Sequence, residues 1–314
     1  MSKDCPVFKC SAEEIAFCQA STLRQAAGIV LERSASGNDK DVYQNYCKLD
    51  RLLQRIVQKR WWLTRCSGAG LNDRQEPKKY AGKKDFLKRS YITCFSHDTC
   101  ENVAMWGLYG KNDPMAVRVT IPGDTLRRWM NGIEFKRDAL SSVKKTSLMS
   151  PKDENSKAIS AKRISSVAFS DLLYVAISEK EDDELDRYDI RRYNSISWRR
   201  ARYYLKKDKD ERDVLLNGQY AGFVKDVEWR YENETRLLVR LKKTTKDKRI
   251  SIAIPPYVIE AMRFTFSPWL TKSEEEDRVK AIIEAALTSV GVNVGKSTFQ
   301  RFRRSALQGA LNFN

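Results

Sequence analysis

Histidine occurs once in the chain, at His97, and that scarcity argues against zinc sites assembled from several imidazoles. The seven cysteines form an odd set with no C-x-x-C pair and no zinc-like spacing to His97, which points to a reducing compartment. No apolar run approaches membrane-spanning length, and Met1-Ser2-Lys3-Asp4 opens no signal peptide, so a soluble cytoplasmic protein with no membrane partner is expected. Internal repeats are absent. A phosphate-binding loop is absent too: Gly295-Lys296-Ser297-Thr298 is preceded by Gly291, one residue too close for the four-residue spacing that such a loop requires.

What is present is positive charge. Lys and Arg number 58 against 41 Asp and Glu, a net charge of +17, which favours a polyanionic partner and nucleic acid in particular. The 314 residues suffice for a large core, and the pattern suggests one elaborated α+β domain spanning 1–314. Within it, 1–59 reads as mainly helical and 60–290 as the core. The Ser-, Lys- and Asp-rich stretch near 144–162 reads as a mobile insertion, 189–212 as a basic insertion, and 291–314 as a basic tail.

In chain order, Pro6 to Cys10 suggests a short strand, and Ser11 caps a helix running towards Glu32. Val42 to Lys59 returns to helical spacing through Leu49, Leu52, Leu53, Ile56 and Val57. Strands are expected at Arg60 to Cys66, Ser90 to Ser96, Met115 to Pro122, around Leu172 to Ala176, at Ile250 to Pro255, and at Val290 to Gly295. Helices are expected at Val103 to Tyr109, Leu126 to Phe135 and Glu274 to Leu287. The stretch Arg191 to Lys209 interleaves Arg199, Arg200, Arg202, Lys206 and Lys207 with Trp198, Tyr203 and Tyr204. Guanidinium groups hold phosphates and aromatic rings stack on bases, so this is the nucleic-acid-binding candidate. An amphipathic helix with a solvated basic face explains the same pattern equally well.

Glu228 to Val239 reads as one strand in which Arg230, Glu232, Glu234 and Arg236 share a face, with Trp229, Tyr231, Asn233 and Thr235 behind them. Two carboxylates one strand step apart lie about 7 Å from each other, close enough to act on one substrate and, if buried, to perturb each other's ionisation.

Three motifs resemble a known family. These are Leu71-Asn72-Asp73 with Glu76, then Cys94-Phe95-Ser96 followed by Met105-Trp106 and Tyr109, and last Trp229-x-Tyr231-Glu232-x-Glu234-x-Arg236. Together they resemble the bacterial domain of unknown function catalogued as twenty-nine seventy-one, from roughly the Trp61 strand to the helix near Glu284. Val7-Phe8-Lys9 matches the family's opening strand poorly. The same skeleton is similar to the Arg-Ser-Glu type of ADP-ribosyltransferase. That resemblance implies an ADP-ribosyltransferase-like α+β fold with helical insertions, in which two small packed β-sheets form a cleft for NAD, consumed as substrate.

The resemblance also implies roles. Glu234 would stabilise the cationic ribose formed as the nicotinamide bond breaks, Glu232 would orient or deprotonate the nucleophile, and Ser96 would support Glu234 or the ribose. Arg65 is the candidate phosphate contact. Tyr91, Trp106 and Tyr109 are candidates for stacking in or lining the nicotinamide pocket, and Asn72 and Asp73 either close it or form an Asx-type turn. A lone histidine such as His97 is more often structural than a ligand. The implied biology is a toxin or antiphage effector that modifies RNA or DNA ahead of protein and is held by an antitoxin or other inhibitor. Two alternatives stand beside it: a nucleic-acid-binding module on a non-catalytic scaffold, and a metal-dependent nuclease using Asp73, Glu76, Glu232 and Glu234.

Overall fold

The apolar stripe of Leu49, Leu52 and Ile56 does form a helix, but the helix begins seven residues later than its periodicity suggests. In a computed structural model, which describes residues 41–67, 84–97, 100–133, 140–142, 163–177, 203–205, 222–294 and 301–308, Val42–Cys47 is strand β1 and helix α1 covers Leu49–Gln58. Lys59, in the left-handed conformation at φ 51°, ends the helix by donating its N–H to the Arg55 and Ile56 carbonyls. Tyr43, Tyr46 and the β-branched Val42 supply the strand preference, and a full antiparallel ladder to β4 (Val117–Pro122) fixes it.

The remaining elements follow in order. They are β2 (Arg60–Arg65), α2 (Lys84–Arg89), β3 (Ser90–Ser96), a short α3 (Val103–Met105) running into a π-helical turn at Trp106–Gly110, α4 (Gly123–Ile133), β5 (Leu140–Ser142), β6 (Ile164–Asp171) and β7 (Leu173–Ile177). After these come β8 (Tyr203–Leu205), β9 (Val224–Asp226), a 3-10 helix at Val227–Glu232, β10 (Glu234–Leu241), β11 (Arg249–Ala253), α5 (Pro256–Ala261), β12 (Arg263–Phe266), α6 (Ser273–Ser289) and β13 (Phe302–Arg303).

The α+β class holds, but two separate small sheets are not what forms the frame. One open, mixed, ten-stranded sheet runs β13-β12-β4-β1-β3-β2-β11-β5, with β10 and β6 branching from β3. Its pairings are antiparallel except for β12 with β13. The branch point positions the site. β10 pairs with β3 along its whole length, from Glu234 opposite Ser96 to Arg240 opposite Ser90. On the other edge of β3, β1 meets Ser96, whereas β2 meets Ile92 and Tyr91. The sheet therefore forks at Cys94, whose carbonyl accepts a bond from Asn45 Nδ2 at 3.1 Å. A second, parallel sheet of β8-β7-β9 is separate from the first.

Alternation assigns the two faces of the fork. Tyr91, Phe95, Leu237 and Val239 enter the main core with α1, α4, α5 and α6. There Trp61 stacks on Phe95 at 5.3 Å and donates its Nε1–H to Thr93. Burying such a ring contributes roughly 1.5–3 kcal/mol. Ile92 and Leu238 face the other way, into a smaller cluster with Tyr174 of β7 and Phe223.

Two expectations shift. Val290 to Val294 is turn and coil, and the last strand among the described residues is β13. The tail folds back: Arg301 donates to the Glu260 carbonyl, Arg304 pairs with Glu276 at 2.7 Å, and Ser305 bonds Glu101. The expected elements at Pro6 to Cys10 and Ser11 to Glu32, the stretch 144–162 and most of 189–212 lie outside the described residues. No helix among the described residues is long and apolar enough to cross a membrane.

Candidate active site

Asn233 decides the geometry of the acidic motif. The stretch read as one strand from Glu228 breaks there: Val227–Glu232 is a 3-10 helix, Asn233 adopts φ 42°, and extended structure begins only at Glu234. Asparagine tolerates this left-handed position better than other side chains. It is also clamped to His97, whose N–H donates to the Asn233 carbonyl at 2.7 Å while Asn233 Nδ2 donates to the His97 carbonyl. The one-face parity expected for Arg230 to Arg236 therefore holds only for Glu234 and Arg236. Glu232 reaches the same space from a helical turn. Asn233→Ala is expected to cost about 1–3 kcal/mol by forcing alanine into the left-handed region and removing the clamp, with Asn233→Gly losing less; thermal unfolding of the two variants checks the order.

Register gathers the rest. Gln44 of β1, Ser96 of β3 and Glu234 of β10 are direct partners across three adjacent strands, so their side chains share a face about 10 Å across. All three are buried, as is Glu232. They line a cavity of about 30 Å³, together with Asn45, Tyr46, Cys94, Phe95, Met105 and Tyr109. That is room for about two water molecules.

Charge within the site is paired. Lys225 Nζ of β9 lies 2.5 Å from Glu232 Oε2 and 3.1 Å from Glu234 Oε2, over the Trp229 ring at 4.7 Å. Arg236 donates its Nε–H to Glu234 Oε1 at 2.8 Å and bonds the Gly222 carbonyl at 2.6 Å. Tyr109 donates its hydroxyl to Glu232 Oε1 at 3.0 Å. Ser96 Oγ donates to the Glu232 backbone carbonyl at 2.8 Å, so it supports the backbone of that residue rather than either carboxylate.

This arrangement splits the two acids. Burial raises both carboxyls. At Glu232 burial and the neighbouring Glu234 charge prevail over Lys225, and its pKa rises to about 7. At Glu234 the adjacent Arg236 and Lys225 overcome burial and hold the carboxyl well below the ordinary carboxylate range. Paired acids pushed in opposite directions suit one fixed anion and one proton acceptor. Burial, reinforced by Glu234, keeps the Cys94 thiol protonated.

The structure brings Glu234, Glu232, Ser96 and Tyr109 together and places three other candidates elsewhere. Arg65 and Tyr91 sit at the opposite end of β3 from Ser96 and bind the Thr245 and Asp247 carbonyls or hydroxyl instead. Trp106 is fully buried behind Tyr46 and donates to Glu101 Oε2 at 3.1 Å. Tyr231 is 37% exposed rather than packed behind the acids. His97 points to the other face of the sheet, between Asp41 at 3.1 Å and Asp171 at 3.4 Å. Asn72, Asp73, Glu76, Arg199, Arg200, Arg202, Lys206 and Lys207 lie outside the described residues.

Gln44 and Lys225 escaped the sequence reading. The aromatic content of Val42 to Cys47 was a strand signal that the helical stripe beyond it obscured. For Lys225 the only local cue is a lysine beside the short apolar pair Phe223-Val224. Among the described residues no group of three or more His, Cys, Asp or Glu side chains could hold a metal ion. No family model, curated protein or solved structure matches the chain, so the likeness of the three motifs rests on those residues alone.

Proposed function

We propose that this protein is an NAD-consuming ADP-ribosyltransferase whose acceptor is a macromolecule, nucleic acid ahead of protein. The observation that carries the reading is the alignment of Gln44, Ser96 and Glu234 on three neighbouring strands, with Glu232 turned into the same cavity and shifted oppositely in pKa. In this reaction the bond between the ribose C1′ and the nicotinamide nitrogen breaks, and its electron pair leaves with nicotinamide. Glu234, held as an anion by Arg236, stabilises the cationic ribose. Glu232 takes the proton of the attacking acceptor hydroxyl or amine as the new bond to C1′ forms. Lys225 must move off the carboxylates for a ribose to reach them, since a cavity of about 30 Å³ has room only for water-sized guests. A toxin or antiphage effector restrained by an inhibitor protein is the setting that the motif resemblance suggests.

Labelled NAD incubated with separate pools of RNA, DNA and protein tests the proposal. Nicotinamide release with label on one pool is expected; absence of both, with Glu234→Gln indistinguishable from the parent, overturns it. The pH profile is a second check. Glu232 accepts a proton only once ionised, so kcat/KM should climb through pH about 7 and level off above it. Glu232→Gln should flatten that limb and lower the plateau by about 10²–10⁴-fold.

One observation favours a second reading, a nucleic-acid-binding scaffold without catalysis: both carboxylates are already neutralised by buried cations. It expects nucleic-acid binding indifferent to NAD and to Glu234→Gln. The metal-dependent nuclease would need Asp73 and Glu76, which lie outside the described residues, and magnesium-dependent cleavage of the pools would reveal it.

A further inference from the structure

The most lopsided charge among the described residues lies far from the carboxylates, at the other end of β10. Between Arg240 and Arg249 the chain carries Arg240, Lys242, Lys243, Lys246, Lys248 and Arg249 against the single carboxylate of Asp247. Strand register makes this more than a local run. β6 starts beside Arg163, β10 ends just before Lys242, β3 starts after Arg89, β2 ends at Arg65 and β11 starts at Arg249. Five neighbouring strands therefore finish in a cation on the same edge of the sheet. Four inter-strand spacings make the row about 19 Å long, the length over which one strand of a duplex presents about five phosphates.

The lysines of this edge are exposed, but the loop that carries them is fixed. Arg65 donates to the Thr245 and Asp247 carbonyls, and its N–H donates to the Lys248 carbonyl at 3.1 Å. Tyr91 donates to the Asp247 carbonyl at 2.8 Å, Arg89 to the Lys242 carbonyl at 3.1 Å, and the Lys242 N–H to the Arg163 carbonyl at 2.8 Å. Arg65 and Tyr91, expected at the NAD site, thus work here as anchors. A solvated lysine loop requires neither these anchors nor alignment with three further strand ends. Like charges held together are unfavourable without an anion, and burial together with the adjacent Arg89 already disfavours the charged form of Arg240. A loop held in place loses little further freedom when it binds.

We propose that this edge, from Arg163 across Lys242, Lys243, Lys246 and Lys248 to Arg249, is a binding surface for the phosphate backbone of nucleic acid. Among the described residues the exposed large apolar side chains, Val103, Leu108, Met115 and Tyr231, all lie elsewhere, so the described part of the edge carries charge without the apolar insertion of a membrane surface. Recognition by phosphate contacts is independent of base sequence and steeply dependent on salt. The surface requires no NAD chemistry, and binding is measured without NAD, so it and the transferase reading stand or fall in different assays.

The test is fluorescence anisotropy of labelled DNA and RNA duplexes of about 20 base pairs across a salt series, with anionic phosphatidylserine vesicles as a separate arm. The exposed triple Lys243→Ala, Lys246→Ala, Lys248→Ala is expected to weaken duplex binding at least about tenfold near 0.1 M salt. It should also reduce the magnitude of the slope of log K against log salt by about 2–3. A control triple with equal charge loss, Lys272→Ala, Arg278→Ala, Arg303→Ala, should stay within about twofold of the parent. The proposal is overturned if the first triple also stays within about twofold, or if the control weakens binding equally. It is overturned as well if vesicles bind more tightly than duplex with the same dependence on Lys243, Lys246 and Lys248.

Discussion

Glu234→Gln is expected to lower the rate of nicotinamide release by about 10²–10³-fold while leaving NAD affinity within a few-fold. The expectation follows from where the charge sits. Glu234 is buried, faces the cavity from the first residue of β10, and is kept ionised by Arg236 although burial works against it. A fixed anion in a poorly solvated site stabilises a developing cation more than it does the neutral substrate, so its loss appears in kcat rather than in binding. Single-turnover release of nicotinamide, combined with calorimetric binding of NAD, separates the two effects. A variant with parental kcat would remove Glu234 from the chemistry and leave the scaffold reading in its place. The assay belongs well below the variant's unfolding temperature, because glutamine also leaves Lys225 and Arg236 short of a counter-charge.

Arg236→Met should be the most destabilising single change at the site, by about 3–5 kcal/mol. The guanidinium is 1% exposed and bonds both Glu234 and the Gly222 carbonyl. Methionine fills much of the volume but leaves the buried Glu234 carboxylate to Lys225, which Glu232 shares, and an under-compensated buried charge costs more than the intact pair contributes. The pH dependence gives the sign. Because Glu234 is depressed in the folded state, its stabilising contribution is present above the unfolded carboxyl's pKa and is lost as pH falls towards the folded value. Arg236→Met removes the main cause of that depression, so the variant should lose less stability than the parent on acidification. Adding Glu234→Gln to Arg236→Met should recover part of the loss, since the stranded charge is then gone. Urea unfolding of the four proteins at neutral and acidic pH measures both effects; a cost below about 1 kcal/mol would mean that water reaches the pair.

Much of the frame is local chemistry and was legible as such. β2, β3, β4 and β11 follow from alternation with β-branched and aromatic residues, and α4 and α6 from apolar stripes at helical spacing, all read within a few residues of their observed limits, whereas for α1 the stripe gave the helix but placed its start seven residues early. The sequence by itself also determined the basic excess, the single histidine, and the proximity of Glu232, Glu234 and Arg236, because residues so close in the chain cannot be far apart in space.

Tertiary structure decided the rest. Val42 to Cys47 became a strand because β4 and β3 offered it ladder partners, a long-range gain that the adjoining helical stripe could not indicate. The acidic motif broke at Asn233 because the left-handed turn is held by His97, a residue 136 positions away in the chain. Lys225 joins the carboxylates from a different sheet, and Arg65 and Tyr91 anchor the Thr245 to Asp247 loop because paired strands β2 and β3 carry them to the far end from Ser96. Composition and periodicity report which face of an element is apolar. Which strand lies beside which, and therefore which charges meet, is set by pairings among residues remote in sequence, and no local pattern encodes them.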